Sequence, residues 1–330
     1  MRIAILGGGS WGTALGHAFA GKGHDVVMLV RSAGAAAEIT EAHTNARYLP
    51  GCAVHPAVAA TVDPGLALRG AEIIVLAVPC QAMRDFLRPI AALFPANAAV
   101  VCASKGMERG TYALMSRVVA EEMPRLANRY AILSGPSFAR EVMEHLPTAV
   151  VLGCRDKALA ETLRRELATP MLRVYSSGDV VGVECGGALK NVMALAAGIA
   201  DGLGFGHNSR AALVTRGLAE MSRLGVALGG EAVSFMGLSG MGDLVLTATG
   251  DLSRNRQVGL RIGRGESLDA VIASMHHVAE GVPTTEAAHD LGEKQAIDLP
   301  ITNAMHAIFH GLTDPETAVR DLMGRALKEE

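Results

Sequence analysis

Lys190 and Asn191 stand side by side in GALKNVMALAAGIADGLGFGHN (187–208), a helical stretch in which nearly every other residue is small or apolar. A lysine in such surroundings loses solvation, which disfavours its charged form and makes it a better proton donor near neutral pH. A carbonyl reduction needs such a donor, because the oxygen must gain a proton as hydride reaches the carbon. The plainer alternative is a lysine whose head group snorkels out of an apolar helix. A second stretch, GLSGMGDLVLTATGDLSRNRQVG (237–259), places Asp243 after a glycine turn and sets Ser253, Arg254 and Asn255 together. The planar arginine fork matches phosphate, and the hydroxyl and amide add neutral donors. The alternative there is a helix cap next to a surface charge.

The first half of the chain offers three more places. Lys105, in Ser104-Lys105-Gly106, follows the strand-like run 98–103, where its charge is suited to a phosphate or a carbonyl oxygen. The turn Ser134-Gly135-Pro136-Ser137 precedes a helix expected to start near Phe138 and offers hydroxyl and backbone donors, unless the serines simply cap that helix. At the start, MRIAILGGGSWGTALG reads as an apolar strand, a G-x-G-x-x-G turn at Gly7, Gly9 and Gly12, and a helix from Trp11 onward. In that arrangement the first glycine turns the chain, the second lets the backbone approach a pyrophosphate, and the third lets helix and strand pack closely. The acidic residue that would hold a ribose 2′-hydroxyl is replaced by Arg31, which complements a 2′-phosphate, so NADPH is expected over NADH.

These residues need strands and helices to position them. Apolar runs at 3–6, 26–30, 73–78, 98–103, 130–133, 149–152 and 172–175 alternate with helical periodicity at 83–94 and 114–123. The alternation stops near residue 178, and helical spacing with glycine-rich connectors follows. The expected fold class is α/β: an N-terminal doubly wound Rossmann-type sheet (1–178) and a C-terminal all-helical domain (179–330).

The totals agree with an enzyme of two domains. The 330 residues suffice for two cores, and a net charge of −3 gives no general attraction to nucleic acid or anionic membrane. Half the residues are hydrophobic and only 4% are aromatic, a mix suited to closely packed helices and parallel strands. No signal peptide is expected from the start, nor a membrane span, the longest apolar helical stretch being 192–200. Five cysteines without C-x-x-C spacing fit a reduced, cytoplasmic setting rather than a disulfide framework.

Taken together, GGGSWGTALG, ASKG, SGPSFARE, the GALKN to GHN segment, SGMGDLVLT with SRN, and VAEGVPT resemble the bacterial type of NAD(P)-dependent glycerol-3-phosphate dehydrogenase over nearly the whole chain. A slight departure is Gly8, where the family often has alanine. The resemblance implies reversible reduction of dihydroxyacetone phosphate to sn-glycerol 3-phosphate, serving glycerophospholipid synthesis, with NADPH or NADH as cofactor. It implies cofactor contacts at Ser10, Trp11, Arg31, Lys105, Ala139, Arg254, Val278 and Glu280. It implies substrate contacts at Lys105, Gly135, Ser137, Lys190, Asp243, Ser253, Arg254 and Asn255. Lys190 would be the catalytic acid and base, with Asp243 beside it and Lys105 between cofactor and substrate. A homodimer is implied as well.

Two other functions share these features: a related two-domain reductase of a keto acid such as ketopantoate or a 3-hydroxy acid dehydrogenase, and a non-catalytic NADP-sensing protein. Loss of Lys190 or of the arginine cluster would mark the sensor, and neither is missing. His306 and His310, four apart in HAIFH, would share a helix face as zinc ligands do. The glutamate of H-E-x-x-H is absent and no third ligand stands out, so no metal is expected. His276 and His277 are expected to be solvated.

Overall fold

The computed structural model describes residues 1–275 and 279–325. The chain divides into two compact units, Met1–Lys105 with Ala113–Glu184, and Gly106–Tyr112 with the chain from Cys185 onward.

The first unit is built on β1 (Arg2–Leu6), β2 (Asp25–Leu29), β3 (Val58–Thr61), β4 (Ile73–Leu76), β5 (Ala99–Cys102), β6 (Tyr130–Ser134), β7 (Thr148–Gly153) and β8 (Leu172–Ser177). They form one sheet in the order β3-β2-β1-β4-β5-β6-β7-β8. All neighbours are parallel except β6 and β7. Alternate residues feed two cores. Ile3, Ile5, Val26, Met28, Val75 and Val101 join Leu15 and Phe19 on one side, while Ala4, Leu6, Val27, Ile74, Leu76 and Val100 join Met83, Leu87 and Val118 on the other. A sheet covered on both faces has no polar side, which is why its strands read as unbroken apolar runs.

The structure departs from the sequence pattern at three places. β3 was not among the expected strands: at the sheet edge only Val58 is fully buried, and Ala59, Ala60 and Thr61 are half-buried. The helix expected over 83–94 ends at Leu87, with a separate 3-10 turn at Ala91–Leu93. Pro89 lies between them; it lacks the N–H a helix requires and disfavours helical backbone at the residue before it. Finally, β7 runs antiparallel to β6, with Ser134 opposite Val151.

Beyond Ser177 the described residues contain helices and no strand. The helix Val180–Gly202 has 23 residues and a mean hydropathy of 1.3, long and apolar enough to cross a membrane, but its apolar window is 94% buried inside the protein. It also carries Glu184 and Lys190, as a core helix with a function would. A second stretch of sufficient length and hydropathy, Ala232–Thr249, is broken into Ala232–Phe235, Leu238–Gly242 and Asp243–Thr249.

In the helical unit, Val180–Gly202 packs on Arg254–Gly263 through glycines on both sides. A methyl group on Gly198 would lie 2.1 Å from the Arg256 carbonyl oxygen, and one on Gly259 would lie 2.0 Å from that of Leu195. The two backbones therefore touch. The buried Glu220 carboxylate accepts from the Ile301 and Thr302 amides at 2.9 and 2.8 Å, satisfying the start of Pro300–Phe309. All five cysteines are free. Burial pushes the Cys102 thiol up to about 12, which makes it inert.

Candidate active site

In the first unit β1 leads into a glycine turn and the helix Ser10–Gly21. Gly7 has φ +124°, and a Cβ there would lie 2.4 Å from the Ala77 carbonyl oxygen; a Cβ on Gly12 would lie 2.2 Å from that of Gly7. Gly9 differs, since a Cβ on it would meet nothing within 4 Å. The first and third glycines thus fold the turn, while the second keeps open the space where a pyrophosphate backbone would lie against the helix N-terminus. The cradle fits a dinucleotide. A Cβ on Gly8 would lie 2.6 Å from Val30 Cγ1, so the backbone packs close on that valine with glycine in place.

Ser10 Oγ donates to the Tyr48 carbonyl oxygen at 3.1 Å. Trp11 is partly buried against the core, and its Nε1 has no hydrogen-bond acceptor among the described residues. Arg31 is exposed just beyond β2, where its Nη2 donates to the Tyr48 hydroxyl at 3.1 Å. The Arg47 guanidinium lies 5.6 Å from the centre of the same ring. Sequence reasoning missed Tyr48, which comes to Arg31 through the fold of residues 33–48 and follows no spacing rule, and with it Arg47 on the Tyr48 ring.

Lys105 Nζ and Ser137 Oγ both donate to the Gly135 carbonyl oxygen, each at 2.9 Å. Gly135 has φ +137°, and a Cβ there would press on Val150 Cα at 3.0 Å, so this turn is specific to glycine. The helix Ala139–Met143 receives no side-chain cap, so the serines of the turn are not caps.

In the helical unit Lys190 is buried midway along Val180–Gly202. Its Nζ donates to Asp243 Oδ1 at 2.9 Å and to Thr247 Oγ1 at 2.7 Å. Asp243 and Thr247 are one turn apart on Asp243–Thr249, and the Thr247 hydroxyl donates back to the Asp243 carbonyl oxygen at 2.6 Å. The lysine therefore does not stand alone in an apolar sheath: a carboxylate and a hydroxyl fix its ammonium in one direction. Thr247 was missed, although its place four residues after Asp243 puts it on the same helix face.

Asn191 and Asn255 form a second buried pair. Asn255 Nδ2 donates to Asn191 Oδ1 at 2.9 Å, and Asn255 Oδ1 accepts from the Gly281 amide at 3.0 Å. Asn255 thereby ties the lysine helix to the start of Gly281–Gln295, right after Glu280. Ser253 caps Arg254–Gly263, accepting from the Arg256 amide at 3.2 Å. Arg254 begins that helix. Desolvation lowers the pKa of its guanidinium and the Glu280 carboxylate works against this. Val278, with His276 and His277, lies outside the described residues.

A glycine turn between a parallel strand and a helix, a Lys-Asp-Thr cluster and an all-helical second unit define a two-domain dinucleotide-dependent oxidoreductase. Two family models match the chain: the N-terminal part of NAD-dependent glycerol-3-phosphate dehydrogenase over residues 2–160 and its C-terminal part over residues 179–320. The chain belongs to the NAD-dependent glycerol-3-phosphate dehydrogenase family. It is 57% identical over 330 residues, all of both chains, to glycerol-3-phosphate dehydrogenase [NAD(P)+] of Nitratidesulfovibrio vulgaris strain DP4. The crystal structure of glycerol-3-phosphate dehydrogenase from Coxiella burnetii superposes with a TM-score of 0.93 at 39% identity, covering 98% of this chain and 99% of that one. A ketopantoate reductase from Ralstonia eutropha superposes with a TM-score of 0.60 at 16% identity, over 97% of this chain and 100% of that one, a likeness of fold alone.

Proposed function

We propose that the protein catalyses the reversible reduction of dihydroxyacetone phosphate to sn-glycerol 3-phosphate with NADPH in preference to NADH, supplying glycerophospholipid synthesis. When bound, the nicotinamide supplies the hydride. Gly7, Gly9, Ser10, Trp11, Gly12, Arg31, Ala139, Arg254, Val278 and Glu280 are the residues assigned to the dinucleotide in this reading. Tyr48, which accepts from Arg31, sets that guanidinium for a 2′-phosphate. Lys105, Gly135, Ser137, Ser253, Arg254 and Asn255 hold the phosphorylated substrate. Lys190 donates the proton to the carbonyl oxygen in reduction and takes it back in oxidation. Asp243 and Thr247 hold the ammonium for that transfer, and Asn191 and Asn255 keep its helix in register. We place the enzyme in the cytoplasm as a homodimer.

The observation that carries this reading is the buried Lys190 ammonium fixed between Asp243 and Thr247, in a chain of this family. The test is steady-state reduction, followed by nicotinamide absorbance, of dihydroxyacetone phosphate beside ketopantoate. Dihydroxyacetone phosphate is expected to be the faster substrate, and Lys190→Ala is expected to lower turnover by about 10²- to 10⁴-fold with NADPH binding retained. Faster turnover of ketopantoate would reject the substrate, and near-normal turnover of Lys190→Ala would reject the proton donor.

A further inference from the structure

The structure supplies the third group that the spacing of His306 and His310 lacks. His306 lies in the last turn of Pro300–Phe309 and His310 closes that helix. The neighbouring helix Gly281–Gln295 presents Glu286 to both. Its carboxylate oxygens lie 3.0 and 3.1 Å from His310 Nε2, and Oε2 lies 3.7 Å from His306 Nε2. One ligand atom from each of the three residues falls within 4.8 Å of the other two. We propose that Glu286, His306 and His310 bind a divalent first-row transition ion of the zinc type, a site separate from the Lys190 cluster.

The chemistry suits that ion. Two imidazole nitrogens and one carboxylate are ligands that Zn²⁺ accepts at about 2.0–2.2 Å, which places ligand atoms about 3.4 Å apart in a tetrahedron. The Glu286 contacts of 3.0 and 3.7 Å bracket that separation, and a modest rotation of the imidazole rings would close the third edge. The fourth position falls to water on the side of His310, the exposed member of the three. Outer support is also present. The His289 ring stacks on His306 with centroids 3.7 Å apart, and His289 Nδ1 lies 2.9 Å from Asn303 Oδ1, one turn before His306. The bound ion would clamp two successive helices together six residues beyond Glu280.

The test is titration of the metal-free, full-length protein with Zn²⁺ by calorimetry, with Co²⁺ absorption reporting ligand geometry. One Zn²⁺ per chain is expected, with a thermal midpoint raised by a few degrees at saturation, roughly what preferential binding to the native state yields. His310→Ala and Glu286→Gln are each expected to weaken binding at least about 10-fold, the lower end for disturbing even a supporting group. His310 is exposed, so its variant should fold, and dehydrogenase turnover without metal should confirm that it does. Absence of uptake at micromolar Zn²⁺ would overturn the proposal. So would uptake that survives both variants but is lost in His145→Ala, whose Nε2 lies 3.2 Å from His17 Nε2 in the first unit.

Discussion

Thr247→Val tests whether the direction of the Lys190 ammonium matters for turnover. Valine replaces the hydroxyl by a methyl at nearly constant volume in a site where Thr247 is buried. Three hydrogen-bond contacts go. The hydroxyl's own donation is shared between the Asp243 carbonyl oxygen at 2.6 Å, a back-bond within a helix, and Asp243 Oδ1 at 3.2 Å; losing it costs little because the carbonyl oxygen keeps its helical partner and the carboxylate keeps Lys190. The one from Lys190 at 2.7 Å is a bond to a charged, buried group, for which about 1.5–3 kcal/mol is typical. Spread onto the transition state, that is about a 10- to 150-fold loss of kcat, at roughly 1.4 kcal/mol per factor of ten. The KM for NADPH is expected to change by less than about 2-fold, because positioning of the proton donor is not uniform binding. Thr247→Ser, which keeps the acceptor, should restore most of the rate. Initial rates with dihydroxyacetone phosphate, together with thermal midpoints, separate this from simple unfolding. A Thr247→Val enzyme with kcat within about 2-fold of the parent and a normal midpoint would refute the reasoning, since a hydrogen bond of this kind could not then be holding the catalytic group.

Arg31→Leu is expected to raise the KM for NADPH by about 10-fold, the loss of one charge-assisted contact, and to leave that for NADH nearly unchanged; parallel kinetics with both cofactors decide it. Glu184→Gln addresses pH. Burial raises the Glu184 pKa above its ordinary 4.5, although Ser116 and Tyr130 donate to the carboxylate and work against this. The native state therefore keeps a proton that the unfolded chain has already released, and stability falls as pH rises from the ordinary value toward the native one, then levels off. Urea midpoints across that range should show the decline in the parent and its absence in Glu184→Gln; identical profiles would count against it.

The strands of the sheet centre and the glycine turn were legible because burial on both faces and the turn geometry leave direct marks on residue type. β3 was not, because an edge strand with one neighbour can be half-buried and compositionally plain. The site was legible where a residue is chemically out of place, as Lys190 is among alanines and glycines. It was illegible where an ordinary residue is recruited by the fold. Thr247 and Tyr48 look like surface or core residues until Lys190 and Arg31 are placed beside them. Glu286 shows the same limit, since it meets His306 and His310 only through the packing of two helices.

Glycine shows most clearly what spacing alone leaves undecided, because it serves two opposite purposes in this chain. Gly9 has φ −78°, a value any residue adopts, and a methyl on it would meet no protein atom within 4 Å. Nothing in the fold requires it to be glycine, and the open space beside it is where the proposed pyrophosphate would approach the backbone. Gly259 is the reverse case: its methyl would lie 2.0 Å from the Leu195 carbonyl oxygen, inside backbone that cannot rotate away. Gly9→Ala is therefore expected to keep the parent's thermal midpoint while raising the KM for NADPH, by about 10-fold or more if one close backbone-phosphate approach is lost. Gly259→Ala is expected to lose about 1–3 kcal/mol of stability by urea denaturation, the ordinary range for overpacking, because the two helices must separate. It should also lower kcat, because the same separation pulls at the Asn191–Asn255 hydrogen bond that joins those helices. If Gly9→Ala instead destabilised the fold and left the cofactor KM alone, the open space at that turn would not be where the dinucleotide lies.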